Sequence, residues 1–199
     1  MYLCKVLKNK KMEKNILIVL LSIATVSVYA QKFTGDISPL KTQKEVNVVL
    51  DFTESLAEGM PMDKYIEVKT KGKTDEQKAQ FLSELNEQLR SQAYISLTGK
   101  IDNAVKEKWF STGDYPNAEY TINVKVKDFN PGAFPMRSSR VSADVSFVKK
   151  GVAAPLATVS YKGVVGKFSD NVPLWVTRTV MAFGYLGDTL GKAILKELK

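Results

Sequence analysis

Two cleanly alternating stretches and a third strand-like run in the C-terminal half constrain this fold more than any other feature. "YTINVKVKDF" (residues 120–129) sends Tyr120, Ile122, Val124 and Val126 to one side and Thr121, Asn123, Lys125 and Lys127 to the other. "RVSADVSFVKK" (140–150) repeats the pattern through Val141, Ala143, Val145 and Phe147, and "LATVSYKGVVG" (156–166) follows it. A period of two marks a strand buried on one face. The short connections "NPGAFPMRSS" and "KKGVAAP" predict an antiparallel meander, an arrangement that tolerates one wet face.

Around this meander the chain supplies one earlier strand and two helical regions. "VNVVLDF" (46–52) alternates Val46, Val48, Leu50 and Phe52 with Asn47, Val49 and Asp51. Residues 53–73 read as an irregular connection with one short helical turn near Pro61, because proline is tolerated at a first helical position. Thr74 and Gln77 form a capping-box pattern, and Leu82, Leu85, Leu89 and Ala93 recur behind it at helical spacing. Apolar residues continue through Leu97, Ile101, Val105 and Trp109, but "TGK" (98–100) leaves one long helix or two shorter ones open. "STGDYPN" (111–117) reads as a loop by its turn chemistry. A closing helix is predicted from Pro173 to Leu198, its apolar face formed by Leu174, Met181, Leu190, Ile194 and Leu198. The predicted class is α+β: strand, helix, three-stranded antiparallel meander and C-terminal helix, with the helices on one face of the sheet.

The first thirty residues differ in kind. Lys5, Lys8, Lys10, Lys11 and Lys14 lead into the apolar run "ILIVLLSIATVSV" (16–28), and Val28 and Ala30 are small residues placed as a signal peptidase reads them. A cleavable signal peptide over 1–30 is predicted, with Met12 as an alternative start and a single domain over 31–199. The apolar run is shorter than the roughly 20 residues a spanning helix needs, so no transmembrane span is expected in the mature chain. Cys4 lies before that run, not after it as lipid attachment would require. Five of the 29 basic and one of the 21 acidic residues precede Gln31, which leaves a net charge of +4. Both signs are interspersed, without the clustering a nucleic-acid footprint needs.

"GYLGDTLGK" (184–192) is the one stretch resembling a chemical motif. A phosphate loop of the form G-x-x-x-x-G-K-[ST] would need glycine where Leu186 stands, and a hydroxyl residue where Ala193 stands. No strand precedes it either. Gly184, Gly187 and Gly191 instead fall on one helical stripe, each costing about 1 kcal/mol relative to alanine. Close packing of the helix against another element is the expected return.

The chain has no histidine, and its one cysteine is Cys4. That removes Ser-His-Asp and Cys-His nucleophile systems, zinc sites built on those ligands, haem ligation and dithiol chemistry. Calcium-loop spacing is missing, and no cofactor or metal is expected. Carboxylate chemistry survives, with Asp51 and Glu54 as the nearest pair for acid and base work. "FNPGAFPMRSSR" places Phe134 and Met136 beside Arg137 and Arg140, a candidate partner contact.

With "VNVVLDFTESLAEGM", "NAEYTINVKVKDFNPG" and "GDTLGKAILKEL" in view, the chain resembles a group of small exported proteins of uncharacterised function from Bacteroidota. More distantly, its element order is similar to the α+β envelope modules of the TolB amino-terminal type. The resemblance implies residence in the periplasm or outside the cell, and no site residues carry over with it. The expectation is a non-catalytic binding or assembly module with an envelope protein or glycan as partner. The alternatives are a carboxylate-dependent hydrolase of envelope carbohydrate and a small-ligand carrier.

Overall fold

The computed structural model describes residues 32–133, 137–166 and 174–199, so the predicted signal peptide lies outside the described residues. The fold is α+β. Its strands are β1 (Thr34–Gly35), β2 (Glu45–Asp51), β3 (Leu56–Ala57), β4 (Met60–Pro61), β5 (Ser111–Gly113), β6 (Tyr120–Asn130), β7 (Arg140–Lys149) and β8 (Ala157–Val165). Four of them, β1, β3, β4 and β5, are only two or three residues long. The helices are α1 (Met62–Thr70), α2 (Asp75–Ser83), α3 (Arg90–Val105) and α4 (Trp175–Glu197). Among the described residues no helix is long and apolar enough to cross a membrane.

β6, β7 and β8 form the antiparallel meander, and their alternating residues share one core. Ser142 lies opposite a local irregularity on each side. Lys127 is an extra residue on β6, and Lys162–Gly163 oppose Ser142 on β8. Such bulges bend a sheet and sharpen its twist. Gly163 adopts φ +60°, open to glycine without strain, and its N–H donates to the Ser142 hydroxyl at 2.9 Å.

The sheet is mixed, not purely antiparallel, with strand order β1-β8-β7-β6-β2-β5. β2 pairs in parallel with both β6 and β5, and β3 continues alongside β6 beyond the end of β2. Parallel neighbours require a crossover, and α1 to α3 provide it. Residues 53–73 are therefore more ordered than expected. They hold the β3–β4 hairpin, turned at Glu58 and Gly59 with φ of 53° and 75°, and then nine-residue α1. Two positive φ values in a two-residue loop fit the twist of adjoining strands.

"STGDYPN" also departs from the expected loop, because Ser111–Gly113 pairs with β2. The Asp102 carboxylate accepts from the Thr112 N–H at 2.9 Å and the Lys44 carbonyl accepts from the Ser111 N–H at 2.9 Å, which seats that polar strand.

The Thr74–Gln77 capping box is formed in both directions. α2 and α3 are joined without a break by one π-helical stretch, Glu84–Leu89, so residues 75–105 form one long helical rod that carries Gly99 inside it. The buried apolar positions are Phe81, Leu85, Leu89, Ala93, Leu97, Ile101 and Val105, spaced by four throughout, with Thr98 buried beside them. A straight helix of 3.6 residues per turn would rotate such a row steadily away from the core. The wider π turn takes up that drift. Leu82 is accordingly on the outside, and Phe81 holds the inward position expected of it. In α4 the large apolar residues buried are Val176, Phe183, Leu186, Leu190 and Ile194, continued by Leu198, whereas Leu174 is 67% exposed and Met181 half-buried.

α3 and α4 lie side by side and run in the same direction. A Cβ on Gly184 would come 2.7 Å from the Ser96 hydroxyl, one on Gly191 2.7 Å from Ala104 Cβ, and one on Gly187 would overlap the Leu97 carbonyl. Gly99, on the same rod, faces open space. Gly187→Ala should therefore cost about 2–3 kcal/mol through overpacking, while Gly99→Ala should gain up to about 1 kcal/mol. Urea denaturation of both variants checks this, and equal effects at the two positions would contradict the packing described.

Candidate functional site

A cleft of about 570 Å³ opens where α1, α2, the β6–β7 turn and the first turn of α4 meet. That volume lies within the range typical of ligand sites. Tyr65 and Lys69 reach it from α1, and Lys73 from the link to α2. Gln77, Gln80, Phe81 and Glu84 share one stripe of the helical rod, being three, four and seven residues apart. Pro131 and Gly132 close one side, and Trp175 and Arg178 the other.

The aromatic wall is continuous with the core. Phe183, Phe52, Phe129, Tyr65, Phe81 and Trp175 form a file of rings with successive centroids 5.6, 6.3, 6.1, 6.1 and 5.5 Å apart. Most of these contacts are steeply tilted, but the planes of Phe81 and Trp175 stand only 31° apart, with buried Phe81 behind the partly exposed Trp175. Edge and offset contacts of this kind add to the burial of the rings.

Each charged group on the wall has a defined partner. Glu84 accepts from the Trp175 indole N–H at 2.7 Å through one oxygen and from the Gln80 amide at 2.9 Å through the other. Glu58, the described non-glycine residue with positive φ, pairs with Lys69 at 2.8 Å. The Lys69 ammonium also stands 5.3 Å from the Tyr65 ring centroid, and that of Lys73 5.6 Å from Phe81. Burial, aided by the Glu58 carboxylate, pushes the Tyr65 phenol well above the usual tyrosine range, so it stays neutral.

The first turn of α4 is anchored by polar contacts. The buried Ser139 hydroxyl donates to the Arg178 carbonyl at 2.5 Å, and Arg178 Nε donates to the Pro131 carbonyl at 3.1 Å. Gly132 sits at φ +72°, where a Cβ would run into the backbone of residues 137 and 138. These contacts fix Trp175 against Phe81.

The residues singled out from sequence lie elsewhere. Asp51 accepts from the N–H and hydroxyl of Thr53 at 2.7 and 2.5 Å, and those hydrogen bonds hold its carboxyl below the usual range. Glu54 is held low by its hydrogen bond and ion pair with Lys125 at 2.5 Å. Neither carboxylate lines the cleft. Arg137 is exposed and its backbone bridges to Ala133, and Arg140 is exposed at the start of β7. Phe134 and Met136 lie outside the described residues. Gly184, Gly187 and Gly191 face α3 as described above. Among the described residues no group of three or more carboxylates is placed to hold a metal. The cleft itself escaped sequence reasoning, although the mixed polar and aromatic spacing of Gln77, Phe81 and Glu84 is its trace in the sequence.

No protein-family model and no curated protein matches this chain. Among solved structures, the chain is similar to a PelC dodecamer from Paraburkholderia phytofirmans, with TM-score 0.43 and 8% identity over 80% of this chain and 96% of that one. A single-substitution variant of that dodecamer gives TM-score 0.41 and 10% identity over 80% and 97%. Likeness at this level carries no functional argument.

The Trp175–Glu84 bond ties α4 to the long helical rod across the floor of the cleft. A double-mutant cycle with Trp175→Phe and Glu84→Ala should give a coupling of about 1 kcal/mol in denaturant unfolding. Strict additivity of the two substitutions would show that the bond does not join these elements.

Proposed function

We propose that this chain is an exported, non-catalytic envelope protein that binds its partner through the cleft at the start of α4. The observation that carries the reading is the cleft's construction. Segments far apart in sequence bring three aromatic rings and five charged side chains to one concave surface, and concavity with a few placed polar groups is the general form of a binding site. Export rests on the charged and apolar segments and the "VYA" boundary before Gln31.

The hydrolase alternative is less well supported. Asp51 and Glu54 are engaged in a turn and an ion pair. Within the cleft, Glu58 is held by Lys69 and Glu84 by Trp175 and Gln80. Asp51 and Glu54 are both held below the usual carboxylate range, so neither of that pair is kept protonated as a general acid must be.

A photo-crosslinking residue introduced at Gln77, on the cleft, and separately at Thr158, on the exposed face of β8, tests the proposal in cells of the protein's own source. The expected result is one discrete envelope species captured from position 77 and absent from 158, on a chain whose N-terminus is Gln31. Equal capture from both positions, or a chain retained uncleaved in the cytoplasm, would contradict it.

A further inference from the structure

We infer that the chain pairs with a second copy of itself through the solvent side of the α3–α4 pair, Lys100 of each copy meeting Asp188 of the other across a two-fold axis. This face is separate from the cleft, and the inference stands apart from the reading of the cleft.

The first observation is a gap in the charge pattern. α3 carries no charged residue from Ser91 to Gly99, and α4 none from Thr179 to Gly187, in a chain of which 25% is charged. Gln92 and Gly99 are nonetheless exposed, and Ser96, Met181 and Tyr185 are half-buried. Exposed helix positions elsewhere carry charge, as at Asp63, Lys64 and Glu67 of α1 or Asp75 and Glu76 of α2. The centre of a protein interface is depleted in charge and enriched in tyrosine and methionine.

The second is a groove of about 430 Å³ between the two helices, lined by Ser96, Lys100, Met181, Gly184, Tyr185 and Asp188. Gly99 follows Ser96 on the same helical stripe and faces open space, with nothing within 4 Å of where a Cβ would stand. A glycine inside a helix costs stability relative to alanine. Gly184, Gly187 and Gly191 recover that cost against α3, whereas Gly99 recovers nothing within its own chain. Close approach of a second backbone supplies the return.

The third is charge at matched height. α3 and α4 run in the same direction, with Ser96 against Gly184. Lys100 and Asp188 each stand four residues, about 6 Å, beyond that contact, so a cation and an anion sit level on opposite walls of one groove. A two-fold axis along the groove lays α3 of one copy over α4 of the other, and every contact it makes occurs twice. Lys100 then meets Asp188, and Met181 and Tyr185 rest on Gln92, Ser96 and Gly99. Asp188 is bonded by Lys192 through Oδ2, and Lys100 has no ion pair among the described residues. A partner bearing one sign of charge here would be repelled by one wall, whereas a second copy suits both.

Sedimentation equilibrium of residues 31–199, which form one compact unit, tests the inference. Loading from about 1 to 100 μM covers the weak end of interface affinities. The expected result is a monomer–dimer equilibrium that stops at two chains, as a closed two-fold requires. Lys100→Glu or Asp188→Lys should weaken the dimer on the order of tenfold, since each removes two exposed ion pairs and sets like charges together. The two reversals combined should restore it. Gly99→Gln, at a position exposed in the single chain, should weaken it at least as much while the far-UV circular dichroism stays unchanged. The gain expected of Gly99→Ala belongs to the single chain and is read where the dimer is dissociated. A chain that stays monomeric throughout the range, growth past two chains, or a dimer indifferent to these substitutions overturns the inference.

Discussion

Contact between the backbones of α3 and α4 is the constraint on which the rest of the structure depends. Three glycines on α4 remove the side chains that would hold the helices apart, and the α3 backbone at Leu97 and Ile101, with the side chains of Ser96 and Ala104, takes the space. Each glycine costs about 1 kcal/mol of helix propensity, and the closer approach offsets this by bringing more atoms into dispersion contact. The contact also sets direction. Positions 184, 187 and 191 meet 96, 97 and 101 in ascending order, so the N-terminal ends of the two helical elements lie at the same end of the pair. That is why Trp175 arrives beside Phe81 and Glu84.

The site is consequently an extension of the core and not a surface appendage. The file of rings from Phe183 to Trp175 runs without interruption from fully buried positions to the cleft. Side chains packed in this way lose their rotamer freedom on folding, so a ligand need not supply that ordering when it binds. The polar groups are fixed by the same economy of partners, with Ser139, Pro131 and Glu84 each holding one point of the first turn of α4.

Much of the frame was legible in the sequence because its elements follow simple periods. β7 alternates from Val141 to Phe147 and β6 from Tyr120 to Val126, up to its bulge at Lys127, and the capping box announces the start of α2. What was not legible depends on long-range partners. β3, β4 and β5 are two or three residues long and carry no period. β5 forms because Asp102, ten residues earlier, accepts its backbone N–H. α1 buries one side chain fully, Tyr65, which leaves almost no amphipathic signal. The choice of Phe81 over Leu82 follows from the π turn at Glu84–Leu89, which no local pattern specifies. The cleft combines three such segments, and its residues become neighbours only once the two long helical elements are in contact.

The most direct test of this account is nuclear Overhauser contact between the α-protons of the three α4 glycines and the helix they face. The account predicts cross-peaks from Gly184 to Ser96, from Gly187 to Leu97 and from Gly191 to Ile101, in that ascending order. Their absence, or the reverse order, would mean that α3 and α4 are not packed backbone to backbone in the same direction, and the cleft described here would not form.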